Sequence, residues 1–120
     1  MILVDTSIWI DHLNSALPGL NDLVLGRKVL HHPFVSGEIA VGNLPNRART
    51  MRALRGLPQV APVSEDEFYD FLESQSLQGT GLGFVDIHLL AAASQAGASV
   101  WTGDRRMQVQ ADRLGMSFDP

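Results

Sequence analysis

The sequence predicts an α/β fold in which helices surround a small central parallel sheet. Three observations carry this. Met1-Ile2-Leu3-Val4 and Ala98-Ser99-Val100-Trp101-Thr102 are short apolar runs of the kind that forms buried strands. Most of the chain between them carries helical signals, long enough for the crossovers that parallel neighbours need. Each run is followed closely by an aspartate, Asp5 or Asp104, and parallel strands would bring both carboxylates to one sheet edge, where open α/β folds place their ligands.

Residues 1–5 read as the first strand. Thr6-Ser7 offers N-caps to a short helix carrying Ile8, Trp9, Ile10 and Leu13. Pro18 suits a first helical turn, Leu20, Leu23 and Val24 share a face, and Gly26 suits the stop. Val29-Leu30-His31 reads as a short second strand. Ser36 predicts the cap of a helix running to Val41, which puts Glu38 in its first turn; Asn43 to Pro45 breaks it. Residues 46–56 predict a helix with Ala48, Met51 and Leu54 along one side. Ser64 and Glu67 form an S-x-x-E capping box ahead of Phe68, Phe71 and Leu72. Gln78 to Gly83 is a Gly-rich loop. Val85 to Ala96 is a small, apolar helix ended by Gly97. After the 98–102 strand, Asp104 caps a last helix to Leu114, with Gly115 as its stop.

A length of 120 residues with 45% hydrophobic content fits one domain spanning 1–120. No apolar run approaches the ~20 residues that span a bilayer. No export signal is evident and Cys is absent, which excludes disulfides and thiolate–metal sites and fits a cytoplasmic protein. A formal charge of −4 argues against a generic basic nucleic-acid coat. Yet setting aside Asp5, Glu38, Asp86 and Asp104 leaves nine acidic against nine basic residues, so the acidity of the chain can belong to one site.

Those four carboxylates sit where strands end or helices begin. Gathered at one edge they would repel one another unless a divalent cation held them. Carboxylate-held Mg²⁺ or Mn²⁺ serves phosphodiester hydrolysis, which needs a nucleophilic water and neutralised phosphoryl charge. Each residue also has a structural reading. Asp5 and Asp104 suit N-caps, and Glu38 and Asp86 suit first helical turns, where the macrodipole favours acids. For Asp86 the neighbours Phe84, Val85 and Ile87 predict a largely buried setting, where a lone charge is costly.

Asp5-Thr6-Ser7-Ile8-Trp9-Ile10, then Glu38, then Asp86-Ile87-His88-Leu89-Leu90-Ala91, then Thr102-Gly103-Asp104 resembles the PIN domain, and within it the VapC toxins of toxin–antitoxin pairs. The resemblance runs from Met1 to about Met107. It implies a PIN-like α/β/α sandwich and a Mg²⁺- or Mn²⁺-dependent endoribonuclease acting on RNA, inhibited by a small cognate antitoxin and expected to form a homodimer. It implies Asp5, Glu38, Asp86 and Asp104 as catalytic acids, with Asp5, Asp86 and Asp104 as metal ligands and the hydroxyls of Thr6, Ser7 and Thr102 beside them. Many relatives carry a further acid or Asn two positions after the last Asp and an aromatic next; here Arg106 and Met107 stand there. The number of bound ions is therefore open, and Arg105 and Arg106 become candidate substrate contacts. The alternative is a catalytically weak scaffold acting through antitoxin binding and co-repression. A receiver-like phosphoryl-transfer domain lacks its second early Asp and its late Lys, since Lys28 is the only lysine.

Arg47, Arg49, Arg52 and Arg55 hold four of nine basic residues and read either as a phosphate- or antitoxin-contacting edge or as a solvated helix face. His12, His31, His32 and His88 make no zinc pattern. Gly79-Thr80-Gly81-Leu82-Gly83 lacks the preceding strand and following Lys of a phosphate loop. Trp9 and Trp101 are expected in the core.

Overall fold

Three parallel strands run in the order β2–β1–β3, with β1 (Ile2–Val4) between β2 (Val29–Leu30) and β3 (Ser99–Trp101), in a computed structural model that describes residues 1–120. Ile2 pairs with Val29 on one side and Ser99 on the other, and Val4 pairs with Trp101. Leu3, Val4 and Val100 are fully buried, as central parallel strands require. The crossover from β1 to β2 is made by α1 (Thr6–Asn14) and α2 (Pro18–Leu25). Between β2 and β3 lie α3 (Pro33–Ala40), α4 (Arg47–Arg55), α5 (Glu65–Ser74) and α6 (Phe84–Ala96), and α7 (Arg105–Arg113) follows β3.

Both sheet edges are longer than the sequence suggests. His31 donates its N–H to Pro58 O (2.8 Å) and accepts from Val60 N, while Val100 bonds Met116 O (2.7 Å) and Phe118 N. These segments cover the backbone of the edges and escape sequence patterning because each is too short to alternate.

Helix α6 is the central helix. Every residue from Ile87 to Ala93 is buried, and the helix packs on β1, on β3 and against α5. Trp9 and Trp101 are buried within the same core of 24 apolar residues. The capping box of α5 forms as the sequence predicts, with Ser64 Oγ accepting from Glu67 N (3.1 Å) and Glu67 Oε1 from Ser64 N (2.8 Å). No helix is long and apolar enough to cross a membrane.

Two helix starts differ from the sequence expectation. Asp5, not Thr6 or Ser7, is the N-cap of α1. Helix α3 starts at Pro33, one turn before Ser36, because Pro33 fixes the first turn and His32 Nδ1 accepts from Phe34 N (2.9 Å). Ser36 instead bonds His31 Nε2. Glu38 therefore lies in the second turn, beyond the part of the macrodipole that would favour it.

His31 and His32 are completely buried, and His31 Nδ1 and His32 Nε2 have no hydrogen-bond partner. Burial lowers both side chains from 6.5 to about 4, helped at His32 by His88 and His31. Between those values the unfolded chain binds more protons than the folded one, so stability present above pH 6.5 is lost as pH falls toward 4. Thermal unfolding followed from pH 7 to pH 4 should show this decline. His32→Asn, which keeps an acceptor for Phe34 N–H, should show a shallower one.

Candidate active site

The C-terminal ends of β1 and β3 meet at Asp5. The residue is 6% exposed, and both carboxylate oxygens accept hydrogen bonds. Oδ1 accepts from Thr6 N (2.7 Å), and Oδ2 accepts from Ser7 Oγ (3.1 Å) and Thr102 Oγ1 (2.7 Å). Three donors satisfy the hydrogen-bonding capacity of this buried side chain where water cannot. The two hydroxyls are themselves aimed by backbone: Gly103 N donates to Ser7 Oγ (2.9 Å) and Asp104 N to Thr102 Oγ1 (3.0 Å). Two of the expected hydroxyls, those of Ser7 and Thr102, thus form one network that joins the strand ends.

Thr6 turns the other way and donates to Glu38 Oε1 (2.6 Å), linking α1 to α3 across 32 positions of sequence. Glu38 is exposed and keeps Oε2 for other partners. Asp104 Oδ1 caps α7 through Met107 N (3.0 Å), and Asp86 Oδ2 accepts from Gly83 N (3.0 Å) in the first turn of α6. The structural readings of Asp5, Asp86 and Asp104 are therefore realised. They do not exclude a second role, because Asp86 and Asp104 each keep a further oxygen.

Convergence shows in the charge of Asp86. Burial raises its pKa most, the Gly83 N–H opposes, and Asp5, Asp104 and Glu38 raise it further. Asp5, Asp104 and Glu38 thus each lie within electrostatic reach of Asp86. Asp86 is half-buried, and Phe84 before it is 61% exposed, contrary to the sequence expectation. His88 is packed away from the acids, stacked on Phe68 at 4.5 Å.

Arg105 and Arg106 are exposed on the first turn of α7. Arg106 lies across the Gly-rich loop that leads to Asp86: a Cβ at Gly81, where φ is +85°, would stand 3.2 Å from Arg106 Cδ. This packing, the Gly103 N–H and the exposed Phe84 are features that sequence reasoning missed. The Gly between Thr102 and Asp104 carried the one legible signal, since close backbone approach selects Gly.

No protein-family model matches the chain. It is 37% identical over 119 residues to Ribonuclease VapC32 from two strains of Mycobacterium tuberculosis, covering 98% of this chain and 96% of that protein. The chain belongs to the VapC family of PIN-domain proteins. Its fold matches that of PAE2754 from Pyrobaculum aerophilum at a TM-score of 0.62 and 18% identity, over 98% of this chain and 87% of that one. It also matches FitAcB from Neisseria gonorrhoeae at a TM-score of 0.63 and 17% identity, over 93% and 94% of the two chains.

For a VapC-family chain the implied ion is Mg²⁺ or Mn²⁺, and the donors fit its chemistry: carboxylate oxygens without sulfur or available imidazole. The spacing adds a condition. No three Asp, Glu or His side chains stand close enough to grip one ion together. Mg²⁺ ordinarily keeps several waters and takes one or two carboxylates directly, so an ion held partly through water suits this cleft.

The raised pKa of Asp86 carries a sign. A carboxyl whose folded pKa exceeds its unfolded value of 3.8 favours the folded state at low pH and disfavours it once ionised. Asp86→Asn should therefore raise the metal-free melting temperature at pH 7 by a few degrees, and the gain should vanish as pH falls toward 3.8. Calorimetry in chelator across that range measures it, and added Mg²⁺ should stabilise the unsubstituted protein more than the variant.

Proposed function

We propose that this VapC-family protein is a divalent-metal-dependent endoribonuclease toxin, acting on RNA in the cytoplasm and neutralised by a cognate antitoxin. The observation that supports it most is the hydrogen-bond network at the strand ends, in which Thr102 and Ser7 hold Asp5, Thr6 of the same helix holds Glu38, and the Thr102 hydroxyl takes the N–H of Asp104, in a chain 37% identical to Ribonuclease VapC32.

When bound, Mg²⁺ or Mn²⁺ supplies an activated water and positive charge at the phosphoryl oxygens. The chain's part is preorganisation. Thr6 N–H, Ser7 and Thr102 fix both oxygens of Asp5 before any ligand arrives, which limits reorganisation during the reaction. Asp5, Asp86 and Asp104 would hold the ion between them, in part through its waters. Glu38, oriented through Oε1 by Thr6, accepts the proton of the attacking water at Oε2. Arg105 and Arg106 bind the phosphate backbone on the α7 side, a charge-assisted contact suited to guanidinium.

Purified protein with Mn²⁺ or Mg²⁺ should cut single-stranded RNA, and chelator should stop it. Asp5→Asn should slow cleavage at least ~100-fold without loss of the folded far-UV spectrum. Undiminished cleavage by that variant would overturn the assignment.

The protein is also proposed to pair as a homodimer. Val41 (89% exposed) and Phe84 (61% exposed) form an apolar surface at the rim of the cleft, which a second copy would cover. Val41→Glu with Phe84→Glu should give a monomeric mass by light scattering where the unsubstituted chain gives a dimeric one.

A further inference from the structure

Metal-dependent cleavage as proposed leaves the arginines of α4 without a task. The structure divides them. Arg47 is used internally: its guanidinium donates to Gly42 O (3.2 Å) and to Ala40 O, tying the start of α4 to the C-terminal end of α3, where a cation is favoured. Arg49 lies on the opposite side, beside Trp9, His12 and Thr50. Arg52 and Arg55 remain exposed and lie one turn apart, about 4.5 Å along the helix.

Two adjoining grooves lead from Arg55 to Glu38. A groove of about 320 Å³ between α3 and α4 is bordered by Arg55, Met51, Ser36, Gly37 and Ala40. A second groove, of about 460 Å³, runs on the other side of α3 past Glu38 and Phe34. The two share Pro33 and Gly37. At that shared point α3 is low: nothing lies within 4 Å of a Cβ built on Gly37. The result is a saddle at Pro33 and Gly37 with the Glu38 carboxylate on one side and the Arg55 guanidinium on the other, Arg52 lying one turn further along α4.

We propose that the RNA backbone leaves the acidic cleft over Gly37 and is held through its phosphates by Arg55 and then Arg52. The inference rests on the ribonuclease reading and deepens it by fixing the direction of the strand. Charge complementarity selects the occupant. A polyanion entering among carboxylates gains nothing from them directly, so its affinity has to come from cations around them: Arg105 and Arg106 on the α7 side, and on the opposite side of α3 the exposed arginines of α4. Phosphate contacts of this kind position the strand without reading its sequence. The route passes Glu38 and crosses α3 at Gly37, leaving the Val41–Phe84 end of the groove to the second copy.

Labelled mixed-sequence single-stranded RNAs of about 4 to about 16 nucleotides, titrated in chelator so that none is cut, test the path. Affinity should rise with length for the unsubstituted protein. In Arg52→Ala/Arg55→Ala the rise should be lost, with about tenfold weaker binding of the longest RNA and a salt dependence shallower by about 0.7 for each arginine removed. Arg52→Lys/Arg55→Lys should retain most of the affinity, and Arg49→Ala should keep the length dependence. An unchanged length dependence and salt slope in the double alanine variant would overturn the proposal. So would loss of binding to an acidic amphipathic peptide with RNA binding intact, which would assign the ridge to a protein partner. Cleavage by the unsubstituted protein with Mn²⁺, run in parallel, reads the ribonuclease activity independently of the path.

Discussion

A buried carboxylate governs this structure. Asp5 ends the central strand, is almost wholly removed from water, and has to be satisfied where it stands, because an unpaired buried charge costs far more than any one contact returns. Its donors come from two places in the chain: Thr6 and Ser7 directly after β1, and Thr102 across 97 positions of sequence, directly after β3. The β1–β3 register brings Val4 opposite Trp101 and so sets Asp5 beside Thr102. Gly103 N–H on Ser7 and Asp104 N–H on Thr102 then fix the loop that carries the next acid. Sheet pairing and site geometry are one constraint.

The other acids are accommodated by a division of labour among their oxygens. One oxygen of Asp86 and one of Asp104 satisfies the start of a helix, one oxygen of Glu38 takes the Thr6 hydroxyl, and the remaining oxygens are left to the cleft. The caps hold in place carboxylates at a site where burial first, and then the charges of Asp5, Asp104 and Glu38, raises the proton affinity of Asp86. Helix capping is thus the means by which like charges are kept together. The structural and chemical roles of these residues do not compete.

How much of this was readable residue by residue follows from the range of each interaction. Apolar runs at 1–5 and 98–102, the Ser64–Glu67 box, the α6 pattern and the Asp104 cap are local signals, and each element appears where those signals put it. The start of α3 was misplaced because a buried histidine took the capping position, which local propensity favours for Ser36. The edge segments around Gln59 and Ser117 gave no pattern at all, since their pairing partners lie elsewhere in the chain. Arg47 was indistinguishable from its neighbours until its guanidinium was seen on the carbonyls of α3.

The sequence alone determined the element types and the parallel arrangement and singled out the candidate acids, because burial periodicity, caps and the D-T-S and T-G-D turns are written in adjacent residues. Only the tertiary structure decided how those acids share their oxygens, that Thr6 serves Glu38 while Ser7 and Thr102 serve Asp5, and which arginines remain free beside an open saddle. Those outcomes depend on side chains meeting across 32 to 97 positions, and a distance set by strand register and helix packing has no local signature.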